Sequence, residues 1–128
     1  MDDSTRKIRF VTYNCFSIRR KSEIVRPLLS KCDILLCQEI NLLQEYCHML
    51  ANFSELFNVK FVPSELSDSV DGDGRPKGGL AMFYRKSLKI TVKPIIENFN
   101  YCLYKILYGG ELFHVVNIYM PCDLRNIE

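Results

Sequence analysis

The residues Ile34, Leu35, Leu36 and Cys37 form a short, continuously apolar run that leads directly into Gln38 and Glu39. A run of this kind is typical of a strand covered on both faces, because a strand with one wet face alternates apolar and polar residues. Burying a glutamate carboxylate costs several kcal/mol unless it is paired or binds a metal. Glu39 should therefore lie just outside the core, either in water or beside a cation.

The order of the other elements predicts a layered domain. Strands are expected at Lys7–Asn14, Asp33–Cys37 and Asn58–Pro63, with a short helix capped by Ser22 and a second helix capped by Asn41 between them. From Gly78 onward the pattern is all β, with a hairpin turn at Gly109 and Gly110. This β-α-β-α-β order followed by a meander indicates an α/β or α+β fold over residues 1–128.

Composition sets broad limits on function. The chain has 128 residues, is 48% hydrophobic and 25% charged, and carries a net charge of +2, which neither requires nor excludes a polyanionic partner. No segment approaches the ~18 apolar residues of a membrane span, and the start of the chain does not resemble a signal peptide. We therefore expect an intracellular protein, in the nucleus or the cytoplasm, whose six cysteines are free thiols.

Three polar residues follow predicted strands at equivalent positions: Asn14, Glu39 and Tyr119. Functional sites gather at strand ends in sheet-based folds, and a carboxylate, an amide oxygen and a phenol together suit a hard divalent cation with a phosphate beside it. Each residue also has a simpler interpretation. Asn14 could turn the chain, Glu39 could be a solvated strand end, and Tyr119 could pack at an edge.

A basic segment, Arg19, Arg20 and Lys21, follows the first of these strand ends. These side chains either form a solvated loop or contact a nucleic-acid backbone. The two interpretations remain open from the sequence, and Arg19 and Arg20 are candidate substrate-binding residues.

Four motifs resemble those of the endonuclease/exonuclease/phosphatase superfamily. "VTYNCFS" resembles its opening strand ending in Asn, "DILLCQEI" its "DILCLQE" motif, and "GGLAMFYRKSL" its "GGVAIL" strand. "VVNIYMPC" resembles the "LNIYAPN" segment of non-LTR retrotransposon endonuclease domains. The four motifs occur in the family's order and cover most of the chain.

The resemblance implies a role for each candidate. Glu39 would ligate Mg²⁺ or Mn²⁺, Asn14 would help to position metal or phosphate, and Tyr119 would approach the scissile phosphate or the leaving group. The implied reaction is hydrolysis of a phosphate ester, with DNA as the expected substrate. The implied fold is half of a four-layer α-β-β-α sandwich.

The chain also departs from the family pattern. The "GDFN" and "SDH" motifs of the family's second half are absent from these 128 residues, and neither His48 nor His114 lies in such a motif. Cys122 stands where related retroelement sequences have Asn. We therefore expect weak or undetectable catalysis by this chain alone, and the alternative function is a non-catalytic module that binds nucleic acid or a protein partner.

The missing motifs also lead to an expectation about assembly. The strands are apolar on both faces, and the two predicted helices can cover only one face of a sheet. We expect the uncovered face to drive self-association, to bind a separate second half of the domain, or to leave the chain partly molten.

Overall fold

The computed structural model of the chain describes residues 7–66 and 75–120. Cys122 lies outside the described residues. Within the described part, two sheets and a layer of helices pack in three layers, as expected for a partial α-β-β-α sandwich. No helix in these two ranges is long and apolar enough to cross a membrane.

The first sheet has four strands in the order β1-β2-β6-β3. They are β1 (Phe10–Asn14), β2 (Ile34–Gln38), β3 (Phe57–Val62) and β6 (Leu80–Arg85). Strands β1 and β2 are parallel, with Asn14 opposite Gln38, so both chains leave the sheet at the same edge. Strand β6 runs antiparallel to both of its neighbours.

The second sheet is the expected meander. It consists of β7 (Thr91–Asn98), β8 (Tyr101–Tyr108) and β9 (Glu111–Ile118), all antiparallel. Gly109 and Gly110 form the two-residue hairpin loop between β8 and β9, with φ values of 59° and 79° that suit glycine. A register shift between Pro94 and Ile96 lets β7 continue past its proline.

Helical segments cover one face of the four-stranded sheet. They are the short 3₁₀ turn Ile18–Arg20, helix α1 (Ser22–Lys31) and the 3₁₀ helix Gln44–Phe53. A further 3₁₀ turn lies at Lys86–Leu88, and two short strands, β4 (Glu65–Leu66) and β5 (Pro76–Lys77), pair with each other. Both predicted caps are wrong: Ser22 is already inside α1, whose N-cap is Lys21, and the second helix begins after Leu43 instead of Asn41.

Strand β2 is buried on both faces, as its sequence predicts. Leu35 and Cys37 pack against the helices, while Ile34 and Leu36 pack against the three-stranded sheet. The expectation that the helices would leave one face of this sheet open is therefore wrong, because β7, β8 and β9 cover that face. Several apolar side chains of the meander are exposed, among them Ile96, Leu107, Leu112, Val116 and Ile118.

Cysteines and one ion-pair cluster complete the core. The five described cysteines, Cys15, Cys32, Cys37, Cys47 and Cys102, are buried free thiols, as expected for Cys residues acting as small apolar side chains. Asp33, which is fully buried at the start of β2, lies 3.4 Å from Nε of Arg85 and 3.7 Å from Nε of Arg9. This cluster lies at the opposite end of β2 from Glu39.

Candidate functional site

The chain segments that follow the parallel strands form a cleft at one edge of the four-stranded sheet. Its volume is about 960 Å³. The candidates Glu39, Arg19, Arg20 and Tyr119 all line it, together with Phe16, Ser17, Lys21, Asn41, Arg75, Pro76, Lys77, Gly78, Phe99 and Asn100. The structure thus brings together four of the five candidate side chains named from the sequence.

Backbone hydrogen bonds hold the segments after β1 and β2 together. The amide of Cys15 donates to the carbonyl of Gln38 at 2.9 Å, that of Ser17 to Glu39 at 2.9 Å, and that of Ile18 to Ile40 at 3.1 Å. The pairing of the two parallel strands therefore continues beyond the sheet edge. It fixes the backbone that carries Glu39 relative to the loop that carries the arginines.

The other wall of the cleft is tied to this pair of segments in the same way. The amides of Ile40 and Asn41 donate to the carbonyls of Gly79 and Gly78, at 3.2 and 3.0 Å. The Gly79 amide in turn donates to Phe99, which lies in the β7–β8 turn, at 2.7 Å. Five separate parts of the chain are thereby linked around the cleft, since the Tyr119 amide also donates to Asn100 at 2.9 Å.

Strained backbone conformations are concentrated here. Five non-glycine residues among those described have positive φ, and four of them, Phe16, Ser17, Glu39 and Asn41, line the cleft. Such conformations cost roughly 1–3 kcal/mol each and persist where the surroundings enforce them, most often at functional sites. The φ of 50° at Glu39 redirects the chain directly after β2 and places a partly exposed glutamate on the cleft.

The charges of the cleft are strongly unequal. Among the lining residues that the structure describes, Glu39 is the single acidic side chain, whereas five are basic: Arg19, Arg20, Lys21, Arg75 and Lys77. Across residues 7–66 and 75–120, no hydrogen bond or ion pair engages the Glu39 carboxylate. A carboxylate without a protein partner in a basic cleft can accept a metal ion, and the surrounding cations can hold the anionic groups of a substrate.

Asn14 lies beside the cleft and is not one of its lining residues. Its Oδ1 accepts a 3.2 Å hydrogen bond from the amide of Phe16, which is the turn geometry that asparagine commonly adopts. The side chain therefore supports the turn that carries Phe16. The carbonyl oxygen still has a second lone pair for another donor or a cation.

Arg19 and Arg20 belong to the 3₁₀ turn anchored by the fully buried Ile18. The guanidinium of Arg19 lies 5.4 Å from the centre of the Tyr46 ring, a cation–π contact that orients it. This segment therefore places basic side chains on the cleft from a backbone whose position is fixed. His48 and His114 are both exposed and do not line the cleft.

Several features of the cleft were not found by sequence reasoning. Phe16, Arg75 and Lys77 line it, and Asn117, which is buried, connects the two sheets behind it. Phe16 and Asn117 lie inside two of the recognised motifs. Their closeness in the sequence to Asn14 and Tyr119 could have indicated that they lie at the site. Arg75 and Lys77 reach the cleft only through the fold.

The cleft does not supply a complete metal site by itself. Among the described residues, no group of three or more His, Cys, Asp or Glu side chains is positioned to share a metal ion. Mg²⁺ nevertheless requires few protein ligands, because it is usually bound through one or two carboxylates, several waters and substrate phosphates. Glu39 fits that mode of binding.

Comparison with solved structures identifies three related folds. The chain matches the human Nocturnin catalytic domain with bound sulfate anion at a TM-score of 0.59 and 17% identity, over 85% of this chain and 48% of that one. It matches an AP endonuclease from Archaeoglobus fulgidus at a TM-score of 0.56 and 23% identity, over 90% of this chain and 42% of that one. It matches the AP endonuclease LMAP from Leishmania major at a TM-score of 0.58 and 16% identity, over 93% of this chain and 43% of that one.

The chain has the fold of these three proteins, which agrees with the fold that the resemblance of its motifs to the endonuclease/exonuclease/phosphatase superfamily implied. Because the identities are below 25%, the likeness establishes the fold alone. The chain spans less than half the length of each of these three solved chains. Comparison with protein-family models and with curated protein sequences gives no match.

Proposed function

We propose that this chain carries part of the active site of a divalent-metal-dependent phosphoesterase of the nuclease type, with DNA as its substrate. The observation that carries the proposal is Glu39: a carboxylate with no partner among the described residues, held by strained backbone in a cleft whose other described charged residues are all basic. Such a carboxylate is expected to bind a cation, and the basic walls are expected to bind phosphate.

The residues have separate roles in this proposal. Glu39 would hold Mg²⁺ or Mn²⁺, and the bound metal would neutralise charge on the phosphoryl and leaving oxygens. Asn14 would act as a further metal or phosphate ligand through the free lone pair of its amide oxygen. Tyr119, which lines the same cleft, would donate a hydrogen bond to the scissile phosphate or to the leaving oxygen.

Substrate positioning falls to the basic walls. Arg19 and Arg20 come from the segment after β1, while Arg75 and Lys77 come from the segment before β6, so cations flank Glu39 from two parts of the chain. Arginine pairs with phosphate through two parallel hydrogen bonds, which fixes orientation as well as affinity. The retrotransposon-like "NIYMP" motif that contains Tyr119 is the sequence feature that favours DNA over other phosphate esters.

A second candidate function is a module that binds nucleic acid without cleaving it. It is favoured by two features of the described lining residues: they include a single carboxylate, and none of them is a histidine. Under this proposal the basic cleft binds the phosphate backbone, and the exposed apolar side chains of the meander bind a second copy or the other half of a domain. Catalysis would then need groups from that partner.

A nicking assay on supercoiled DNA separates the two functions. The chain is used in excess over DNA with Mg²⁺ or Mn²⁺, and Glu39→Ala is compared with the unchanged chain. Slow metal-dependent nicking that disappears in Glu39→Ala supports the phosphoesterase. Salt-sensitive DNA binding with no nicking supports the binding module. A chain that neither nicks nor binds DNA excludes both proposals.

A further inference from the structure

Phe16 is an exposed aromatic residue within the basic cleft. Its side chain is 71% exposed. In the chain it follows the end of β1 and lies between Asn14 and the 3₁₀ turn. Isolated exposed apolar residues are ordinary on protein surfaces, so exposure alone has no functional meaning. What distinguishes Phe16 is that it shares its cleft with the candidate metal ligand and with five cationic side chains.

The backbone of Phe16 is fixed on both sides. Its own amide donates to Oδ1 of Asn14, and the amide of the next residue, Ser17, donates to the carbonyl of Glu39. Both Phe16 and Ser17 have positive φ, at 44° and 83°. The ring is therefore presented from a well-held turn. A phenyl ring loses little rotamer entropy when it binds, because only two torsions need to be ordered.

The combination of charge and ring defines the ligand chemistry. A positively charged groove that follows a phosphate backbone, together with an aromatic face on which a base can stack, is how proteins bind single-stranded nucleic acid. The basic residues nearest to Phe16 in the chain are Arg19, Arg20 and Lys21, and all line the same cleft. A phosphate held by these residues would place its attached nucleotide within reach of the ring.

We propose that Phe16 is a stacking platform for an unpaired nucleobase, and that the cleft binds single-stranded or locally unpaired nucleic acid. This inference rests on the proposed function only for the nucleic-acid nature of the ligand, and it does not require cleavage. In a regular duplex both faces of each base are already stacked, so the ring can engage only a base that has left the stack or lies in a single strand.

The test uses the whole chain with a chelator present, so that binding is measured without cleavage. A labelled oligothymidine strand is compared with a strand of the same length built from base-free sugar-phosphate units. The variants are Phe16→Ala, Phe16→Trp and, as a control, Leu56→Ala, which removes a 64% exposed apolar side chain that is not part of the cleft. Phe16 makes no core contact, so the variants should fold, and circular dichroism checks this.

Stacking on one base predicts that Phe16→Ala weakens binding of the oligothymidine by about 5- to 150-fold, while binding of the base-free strand is unchanged. Leu56→Ala should bind both strands as the unchanged chain does. The chain contains no tryptophan, so Phe16→Trp introduces a single tryptophan, whose emission can be followed separately from that of the tyrosines. Its emission should be quenched by the oligothymidine and not by the base-free strand.

Two results overturn the stacking role alone. These are equal affinities of the unchanged chain and Phe16→Ala for oligothymidine, and an equal loss for both strands in Phe16→Ala. If the unchanged chain binds neither strand at low salt, the nucleic-acid function fails together with the stacking role. If metal-dependent nicking is absent but base-dependent binding is present, the stacking role stands and the proposed catalytic function fails.

Discussion

Gln38 and Asn117 join the two sheets behind the cleft: Nε2 of Gln38 donates a 2.8 Å hydrogen bond to Oδ1 of Asn117. Nδ2 of Asn117 donates to the carbonyls of Cys37 and Ala81, at 3.2 and 3.1 Å. Gln38 immediately precedes Glu39, and Asn117 lies two residues before Tyr119. This buried amide bridge therefore fixes the position of the candidate metal ligand relative to the tyrosine.

Removing the bridge should destabilise the fold. Asn117 is 1% exposed, so Asn117→Ala leaves buried acceptors on β2 and β6 without their donor. We expect a loss of about 2–3 kcal/mol in the free energy of unfolding, measured by urea denaturation. Asn58→Ala, at an exposed position on β3, is the control and should change stability by less than ~0.5 kcal/mol.

A double-mutant cycle isolates the bridge itself. Gln38→Ala combined with Asn117→Ala should destabilise the chain by less than the sum of the two single changes, because both remove the same hydrogen bond. Strict additivity of the two substitutions would show that the two amides do not interact.

Gly79 should not tolerate a side chain. It has φ of +85°, and an added Cβ would lie 2.6 Å from Oγ of Ser64 and 2.8 Å from Cγ1 of Ile40. Gly110 is a matched control, because its φ is +79° and an added Cβ would have open space around it. Gly110→Ala should cost only the backbone strain of about 1 kcal/mol, whereas Gly79→Ala should cost about 2–4 kcal/mol. Similar melting temperatures for the two variants would argue against the close packing at the cleft.

The two carboxylates that flank β2 should behave in opposite ways. Asp33 is buried, accepts a 2.8 Å hydrogen bond from the amide of Arg9 and pairs with Arg85, so Asp33→Ala should lower the free energy of unfolding by about 3–5 kcal/mol. Glu39 is partly exposed and has no such partners among the described residues, so Glu39→Ala should change stability by less than ~1 kcal/mol. Urea denaturation of both variants makes the comparison, and a large loss in Glu39→Ala would indicate a structural role for that carboxylate.

The buried thiols predict how stability depends on pH. A hydrogen bond with Cys15 and burial raise the pKa of the Cys37 thiol well above its ordinary value, and burial raises the pKa of the Cys32, Cys47 and Cys102 thiols. Unfolded thiols lose their protons above about pH 8.5, while these folded thiols keep theirs. Unfolding then releases protons, so the free energy of unfolding should fall as the pH rises from about 8.5, by ~1.4 kcal/mol per pH unit for each proton released.

Urea denaturation at pH 7.5, 8.5 and 9.5 with a reducing agent tests this dependence. The same thiols should react slowly with a thiol reagent at pH 8 in the folded chain and rapidly in urea. Stability that is flat or rises over this range, or rapid reaction of all the cysteines in the folded chain, would contradict the burial of the thiols.

Much of the fold could be predicted from local pattern. The apolar run of β2 and the glycine pair at the hairpin each indicate the local structure within a few residues, and the structure agrees with both. The fold-family resemblance likewise depended on four local motifs. The exact helix starts could not be predicted, because Ser22 and Asn41 are both common capping residues that here have other positions.

The arrangement of the layers could not be predicted from local pattern, because it depends on contacts between segments that are far apart in the sequence. The sequence shows that β2 is apolar on both faces, but it does not state that the chain's own meander would cover the second face through Tyr104 and Ile106. For the same reason Lys77 and Phe99 could not be placed at the cleft. They come close to Glu39 only through the backbone hydrogen bonds that link Gly78, Gly79 and the β7–β8 turn.

Mn²⁺ titration followed by NMR tests most directly whether Glu39 binds a divalent cation at the cleft. Paramagnetic broadening should appear first at amides around Glu39, including Phe16, Ser17 and Asn41, and should be absent in Glu39→Gln at the same Mn²⁺ concentration. Asp33 is too deeply buried and too well paired to bind the ion, so amides around it should stay sharp. Broadening that is unchanged in Glu39→Gln, or that spreads evenly over the surface, would contradict the metal site.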